Sequence, residues 1–475
     1  MPQESFREWV TNELLAQARR RARRHSMSQS ERDRLIEEMV QRYREVLHRQ
    51  LEREPRTLDE IEQAVEDVSV EMGRVLEQRI LDAQANRPEL RENQASCPRC
   101  ACVARYRATH PRVLITRHGE RSLTRRYYHC TACRRGFAPL DVVLGLDAEA
   151  TSTQVRLWVA RRAARETFAE VTATLQDLVG VAVSPSTVAR IAMTVGTALR
   201  QAERQRAACH HAGQAPAVLR KPPRLYISMD GIMAPLRDPW KKDGSAGALV
   251  CRYGECKTAV VYAAHPTPKG DAGVAWQAYT ATFGDSETFE PLVATLAHQH
   301  GHHFARELVV LADGQGYNWR IAAAQFPTAL QILDFIHATE HLYTVANAYF
   351  GEGTAPVKAW VEARQDELFR DQVKAVLQAI ADLPCRTEKQ REVQRREGNF
   401  FRNNAERIRY GTFQKRGYHL ASGVMEASCK RIVHQRLDEA GMHWRPETAE
   451  AVVALRAALL SSEPPDLRPF CRIPA

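Results

Sequence analysis

Apolar positions in the first part of the chain recur at helical spacing. Leu35, Met39, Tyr43, Val46 and Leu47 form one stripe, and Ile61, Val65, Val68, Met72 and Val75 form a second, with charges of both signs on the remaining faces. Thr57-Leu-Asp-Glu60 fits a capping box ahead of the second stripe. Residues 1–90 are therefore expected to be helical, as a hairpin or dimerising arm whose default role is packing. The period then changes. Residues 91–145 bring Cys, Arg, Tyr and short β-type runs such as Val113-Leu-Ile-Thr116, and residues 146–211 return to Ala- and Arg-rich helix. The stretch GQAPAVLRKPP at 213–223 marks a connector and a domain boundary.

From residue 224 the pattern is α/β. Arg224–Asp230 reads as an apolar strand, and Leu249–Ala264 as one or two strands around the turn signal Tyr253-Gly254-Glu255. Trp276–Phe283, Glu307–Asp313 and Leu330–Ile336 are further strands, and Pro291–His300 is a helix. Residues 338–410 are helical, with Val357, Trp360, Val361, Val373, Val376, Leu377 and Ile380 suitably spaced, and a last helical block runs from about 424 to 461. The expected fold class is multidomain, α plus α/β.

Composition narrows the function classes. The chain has 475 residues, 44% hydrophobic and 26% charged, which are globular values and allow several domains of ~100–200 residues. No run approaches the ~18 apolar residues of a membrane span, so no membrane partner is expected. The opening MPQESFREWV has no leader-like apolar run, which points to a cytoplasmic location. Eleven cysteines in such a chain favour thiols or metal ligands over disulfides. Net charge is +10, and its placement matters more than its size. Residues 97–225 hold 21 Lys and Arg against 8 Asp and Glu, a local net of +13, while residues 226–475 balance at 29 against 29. A basic field confined to one segment suits a polyanion such as nucleic acid. A solvated surface is the plainer reading, and charge alone leaves both open.

Cys97-Pro-Arg-Cys100 and Cys130-Thr-Ala-Cys133 are two C-x2-C knuckles with 29 residues between them. Two such turns complete a tetrahedral four-sulfur site, and a closed site of that kind is structural, so Zn²⁺ in a zinc ribbon is expected. Cys102 is a nearby spare. Arg125, Arg126, Arg134 and Arg135 flank the ribbon and suit phosphate contacts. Downstream, Phe168–Leu175 is an amphipathic helix, Gly180-Val-Ala-Val interrupts it, and Ser184-Pro185 restarts a helix as N-cap and first helical residue. This is a helix-turn-helix layout, whose second helix would bring Ser186, Thr187 and Arg190 to bases or phosphates. Plain helical bundles use the same layout.

Three carboxylates stand out by context. Asp230 and Asp313 each end an apolar strand and precede glycine, and Glu426 opens a helical run in Gly423-Val-Met-Glu-Ala-Ser-Cys-Lys430. Carboxylates buried at adjacent strand ends require a compensating cation, and a pair of Mg²⁺ or Mn²⁺ ions there would catalyse in-line phosphoryl displacement. Asp-Gly is also an ordinary turn dipeptide, and on spacing alone Glu340, Glu362 or Glu406 competes for the third position.

Longer strings carry a resemblance. Leu225-Tyr-Ile-Ser-Met-Asp-Gly-Ile-Met233, Ala312-Asp-Gly-Gln-Gly, Ile332-Leu-Asp-Phe-Ile-His337 with Glu340-His-Leu342, and Ala421-Ser-Gly-Val-Met-Glu-Ala-Ser-Cys-Lys-Arg-Ile-Val433 continued by Arg436–Trp444 occur in that order. The chain resembles, over roughly residues 95–460, bacterial insertion-sequence transposases of the ISKra group, within the mutator-like DDE class. The resemblance implies a ribonuclease-H-like catalytic domain at 224–461, with the first Asp on the first strand, the second near the fourth, and a helical insertion at about 338–420. It implies Asp230, Asp313 and Glu426 as the metal-binding triad. Asp334 and His337 match that class's Cys/Asp-x2-His signature and would support the site, and Lys430 and Arg431 suit a phosphate backbone beside it. The implied partners are double-stranded DNA, as terminal inverted repeats and target, and further copies of the chain in a homo-oligomer near the bacterial nucleoid. A DNA-binding regulator without catalysis, or a nuclease without strand transfer, are the competing classes.

Other residues receive plainer readings. His298, His300, His302 and His303 read as an exposed helix end, as does Cys209-His-His211. Trp319 and Trp444 read as core. Lys241 and Lys242 with Asp243-Gly244 read as a basic loop between strands.

Overall fold

Thr57 accepts the Glu60 N–H on its hydroxyl and gives its own N–H to the Glu60 carboxylate at 3.0 Å, the capping box expected from spacing. The structure, a computed structural model, describes residues 29–52, 57–146, 148–242, 249–266 and 272–472. Residues 1–28 of the expected arm and the Asp243-Gly244 loop lie outside the described residues. The chain forms two compact units. One takes the described residues of Met1–Val159, Phe168–Ile191 and Leu467–Ala475, and the other takes Ala160–Thr167 and Ala192–Asp466.

In the first unit, α1 (Gln29–Leu51) and α2 (Leu58–Ala85) form an antiparallel hairpin joined by Arg42–Glu71 and Arg79–Glu38 ion pairs. Val46 and Val68 are buried, whereas Ile36, Val40, Ile61 and Val65 are exposed. A four-stranded antiparallel sheet follows in chain order: β1 (Gln94–Ser96), β2 (Val103–Thr116), β3 (Gly119–His129) and β4 (Gly136–Phe137). Next come α3 (Pro139–Leu144), α4 (Thr153–Ala163), α5 (Phe168–Val179) and α6 (Pro185–His211); α4 from Ala160 and α6 from Ala192 belong to the second unit. Gly180, at φ 60°, breaks the chain after α5. The Ser184 hydroxyl accepts the Thr187 N–H at 3.2 Å and caps α6.

The second unit is built on a five-stranded sheet of order β7-β6-β5-β8-β9, from β5 (Arg224–Lys242), β6 (Leu249–Pro266), β7 (Ala272–Thr282), β8 (Glu307–Ala312) and β9 (Leu330–Leu333). β5, β6 and β7 pair antiparallel, and β5, β8 and β9 pair parallel. Helices α7 (Ser286–Gln299) and α8 (Gly316–Gln325) precede and follow β8. The run Glu-Leu-Val-Val-Leu-Ala of β8 is buried on both faces from Leu308 onward, as the uninterrupted apolar run of a central parallel strand requires.

The structure departs from the sequence expectations at four places. β5 does not end at Asp230 but continues to Lys242, with Asp230 paired to Thr258 and Gly231 to Lys257. Tyr253-Gly254-Glu255 makes no turn; β6 runs straight through it. Gly254 pairs with Ala234, and a Cβ there would lie 2.4 Å from Leu236 Cδ1, so the glycine admits a neighbour instead of reversing the chain. The strand expected to reach Ile336 ends at Leu333, because Asp334 caps α9 (Phe335–Phe350). The block expected from 424 to 461 is broken. After α10 (Ala355–Phe369), α11 (Val373–Ala381), α12 (Glu388–Asn403) and α13 (Tyr410–Lys415), it consists of α14 (Gly423–Cys429), a π turn at Lys430–His434, α15 (Gln435–Leu437) and α16 (Pro446–Leu460). α16 is buried nearly all round, and α6 approaches it at Gly196, where a Cβ would lie 2.2 Å from the Ala451 carbonyl oxygen. Trp319 and Trp444 are core residues.

Candidate functional site

The parallel register pairs Met229 of β5 with Ala312 of β8. Asp230 and Asp313, the next residues in each strand's path, therefore emerge side by side. Asp313 Oδ1 accepts the Gln315 N–H at 3.0 Å and the Asn318 amide at 2.9 Å. That buried amide also reaches the Met229 carbonyl at 3.3 Å, tying Asp313 back to β5. Asp230 Oδ1 accepts the Gly231 N–H at 2.7 Å. Burial and the charge of Asp313 push Asp230 up to about 6. Among the described residues neither carboxylate has an ion-pair partner, so the pair is suited to a hard cation.

Glu426 lies on α14 and is exposed. Three residues on, one helical turn away, the buried Cys429 thiol donates to Asp230 Oδ2 at 3.8 Å, and burial with the Asp230 charge pushes that thiol up. Among the described residues, Glu426 does not close with Asp230 and Asp313 into a set of ligand atoms within 4.8 Å of one another. Two like-charged groups repel a third, and an exposed glutamate is well solvated where it is. Of the spacing competitors, Glu340 pairs with His337, Glu362 with Lys358 and Glu406 with Arg409.

Asp334 is fully buried. Its Oδ1 accepts the His337 N–H at 2.9 Å and its Oδ2 accepts the Ser422 N–H, immediately before α14. The His337 ring lies 3.1 Å from Glu340 and near enough to Asp230 to favour its carboxylate when the imidazole is protonated. Lys430 is exposed. Arg431 is half-buried, hydrogen-bonds Tyr279, and offers its carbonyl to Arg456.

Three further residues border the carboxylates and were not singled out from sequence. Tyr317 has a buried hydroxyl with no hydrogen-bond partner among the described residues, and Glu255, Asp313 and Asp230 surround it. Glu255 accepts from Lys257 at 2.6 Å, and its Oε1 occupies the space that a Cβ on Gly231 would need. Tyr317 lies four residues beyond Asp313, just inside the start of α8, and its closeness in sequence was the available clue. Glu255 and Lys257 reach the site only through the pairing of Gly231 with Lys257, which no local pattern announces.

The four knuckle cysteines converge at one end of the β1–β4 sheet. Cys97 and Cys133 sulfurs lie 3.6 Å apart, and Cys100 and Cys130 sulfurs 3.5 Å. All four fall within 4.8 Å, near the ~3.8 Å edge of a tetrahedral zinc–thiolate site. Ala101 and Arg134 take positive φ just after each knuckle, at 60° and 55°. Cys102 is exposed and outside the set. Of the expected DNA-facing residues, Arg134, Arg135 and Ser186 are exposed. Arg125 is tied to Asp141, Arg126 lies 3.9 Å over the Tyr106 ring, Thr187 bonds Ser184 at 3.0 Å, and Arg190 pairs with Glu149.

Comparison with known protein families finds no match, and comparison with curated proteins finds none. Among solved structures, the Drosophila P element transposase strand transfer complex is similar at a TM-score of 0.30 and 9% identity, over 68% of this chain and 95% of that one. A likeness that slight does not define the fold. Among the described residues, no helix is long and apolar enough to cross a membrane.

Proposed function

We propose that the chain is a DNA transposase of the insertion-sequence type its motifs resemble. In this reading, residues 224–461 are a ribonuclease-H-like catalytic domain with a helical insertion at about 338–420. Residues 1–90 assemble the oligomer, and the zinc ribbon at 91–145 and helix-turn-helix at 146–211 bind the terminal inverted repeats. The observation that carries the reading is the Met229–Ala312 pairing, which brings Asp230 on the sheet's first strand beside Asp313 at the end of its fourth. That is the arrangement the fold family implies for its two aspartates.

Asp230, Asp313 and Glu426 would hold Mg²⁺ or Mn²⁺, and the half-buried like-charged pair of aspartates fits a divalent cation. When bound, such ions stabilise charge on the attacking and leaving oxygens of a phosphodiester, for hydrolysis and for strand transfer alike. The chain's own residues do the positioning. Asn318 holds Asp313 to β5, Asp334 sets the start of α14, and Gly231 leaves room for Glu255. Lys430 and Arg431 favour the DNA backbone, and the Tyr317 hydroxyl is free to donate to a phosphate oxygen. Exposed Arg134, Arg135 and Ser186 supply contacts to double-stranded DNA, and Cys97, Cys100, Cys130 and Cys133 hold structural Zn²⁺. The exposed apolar side chains of α1 and α2 favour a homo-oligomer.

The test is strand cleavage. Purified protein with Mg²⁺ is given labelled DNA carrying the gene's own flanks, beside Asp313→Asn and an unrelated duplex. Cuts at discrete inverted positions, lost in the variant and absent from the control, are expected. Specific binding without cutting would instead indicate a regulator, and equal cutting of both duplexes a nuclease.

A further inference from the structure

The histidines around residue 300 are not the exposed helix end their sequence suggests. His298 closes the last turn of α7, and Gly301, at φ 77°, turns the chain so that the His302–Phe304 turn folds back toward it. The ligand nitrogens of His298, His302 and His303 lie within 4.8 Å of one another. His300 does not join them; it is buried and stacks on Trp276 at 4.9 Å. A fourth imidazole arrives from 88 residues upstream. His210, on the last turn of α6, has its ring 4.5 Å from that of His298. Its Nδ1 lies 3.1 Å from the buried Thr295 hydroxyl. An Nδ1–H donated to that oxygen leaves Nε2 as a lone pair, the way metal-bound histidines are commonly oriented by a supporting partner.

We propose that His298, His302 and His303, with His210 as the fourth ligand, form a second transition-metal site that takes Zn²⁺ and pins the last turn of α6 to the end of α7.

The donor set selects the metal. An all-imidazole cluster suits Zn²⁺, Ni²⁺ or Cu²⁺ and not the hard, oxygen-seeking Mg²⁺ expected at the carboxylates. The rings are held in place for a metal: His298 and His302 are half-buried, and Thr295 orients His210. Tetrahedral nitrogens sit about 3.4 Å apart around zinc, so a modest contraction suffices. One ring must turn. His298 and His303 stack at 4.6 Å with 20° between planes, and parallel rings cannot aim both lone pairs at one ion. His303 is the most exposed of the three and is the ring free to rotate. Lys221, whose charge reaches His303, opposes a cation here, so this site is expected to release zinc before the thiolate site does.

The experiment uses full-length protein without a polyhistidine tag, loaded with Zn²⁺ in excess Mg²⁺ to occupy the carboxylates, and titrated with a chromophoric chelator. Two zinc ions per chain are expected, leaving in two steps. The weaker step should vanish in His298→Asn/His302→Asn and survive in Cys97→Ser/Cys100→Ser. His303→Asn, on an exposed ring that should not disturb folding, is expected to weaken that step by at least about tenfold, with an unchanged thermal melt of the metal-free protein. Substituted Co²⁺ at this site should lack the thiolate charge-transfer absorption of the four-cysteine site. One zinc per chain in the wild type, or a second step that both histidine variants leave intact, would overturn the proposal.

Discussion

The Asp334 carboxylate accepts the backbone N–H of Ser422, 88 residues ahead in the chain, while its other oxygen caps α9 through His337. One buried side chain thus fixes where two helices begin, and the second of them carries Glu426. Asp334→Asn replaces one acceptor with an N–H₂ that must face a backbone N–H. A buried donor left unmatched costs about 1–3 kcal/mol. Urea denaturation should show a loss of that size. Cleavage should fall while binding to the flanking DNA, read by gel shift, is retained. Equal cleavage in the variant would remove Asp334 from the positioning role.

The proposed cation site predicts that metal binding and pH are coupled through Asp230. Its folded-state value is raised to about 6 by burial and by Asp313. A raised carboxyl favours the folded state while protonated, so this contribution is fully present below about pH 4 and is lost as pH climbs through 6. A divalent cation binds the ionised form and opposes that loss. The rise in melting temperature caused by Mg²⁺ should therefore be larger at pH 8 than at pH 5, and Asp313→Asn should shrink the difference. A Mg²⁺ effect independent of pH would contradict the coupling.

Removing zinc should be felt locally. The cluster of Cys97, Ala104, Tyr128 and Cys130 is small, and a core of that size needs a metal to hold. Chelation, or Cys130→Ser, is expected to abolish hydrogen-exchange protection across β1–β4 and leave β5–β9 protected. Cys102→Ser should leave zinc content unchanged.

At Gly196 two effects oppose each other. Alanine improves helix propensity by about 1 kcal/mol. Its Cβ, however, would meet the Ala451 carbonyl oxygen at 2.2 Å, and backbone cannot step aside as a side chain can. Overpacking of this kind costs about 1–3 kcal/mol, so Gly196→Ala should lower stability in chemical denaturation, not raise it.

What was legible in the sequence was local. The Thr57–Glu60 box, the Ser184–Pro185 start and the two cysteine knuckles are each decided by side chains within a few positions of one another. The strand segments leading up to Asp230 and Asp313 were legible because apolar runs of this kind have few other uses, whereas the continuation of β5 past Asp230 to Lys242 was not, because it depends on pairing with β6. Misreadings arose where partners lie far apart in the chain. Gly254 has the same letter whether it turns a hairpin or makes room for Leu236. Leu330–Ile336 looked like one strand because the two backbone N–H groups that claim Asp334 come from α9 and from Ser422. Glu255 and Tyr317 reach the carboxylates through strand pairing, and His210 meets His298 only once α6 and α7 pack.

The pairing of β5 with β8 runs from Arg224 opposite Glu307 to Met229 opposite Ala312. Side chains alternate faces along a strand, so a slip of a single position would turn Asp313 away from Asp230 and exchange the two faces on which Leu308, Val309, Val310 and Leu311 are packed. No intermediate alignment exists. Substitutions in this apolar ladder should accordingly act on the paired carboxylates as a switch and not as a dial: alignment survives and the two charges meet, or it fails and the whole second unit fails together. The meeting of Asp230 and Asp313 is secured by the apolar strand segments that lead up to them.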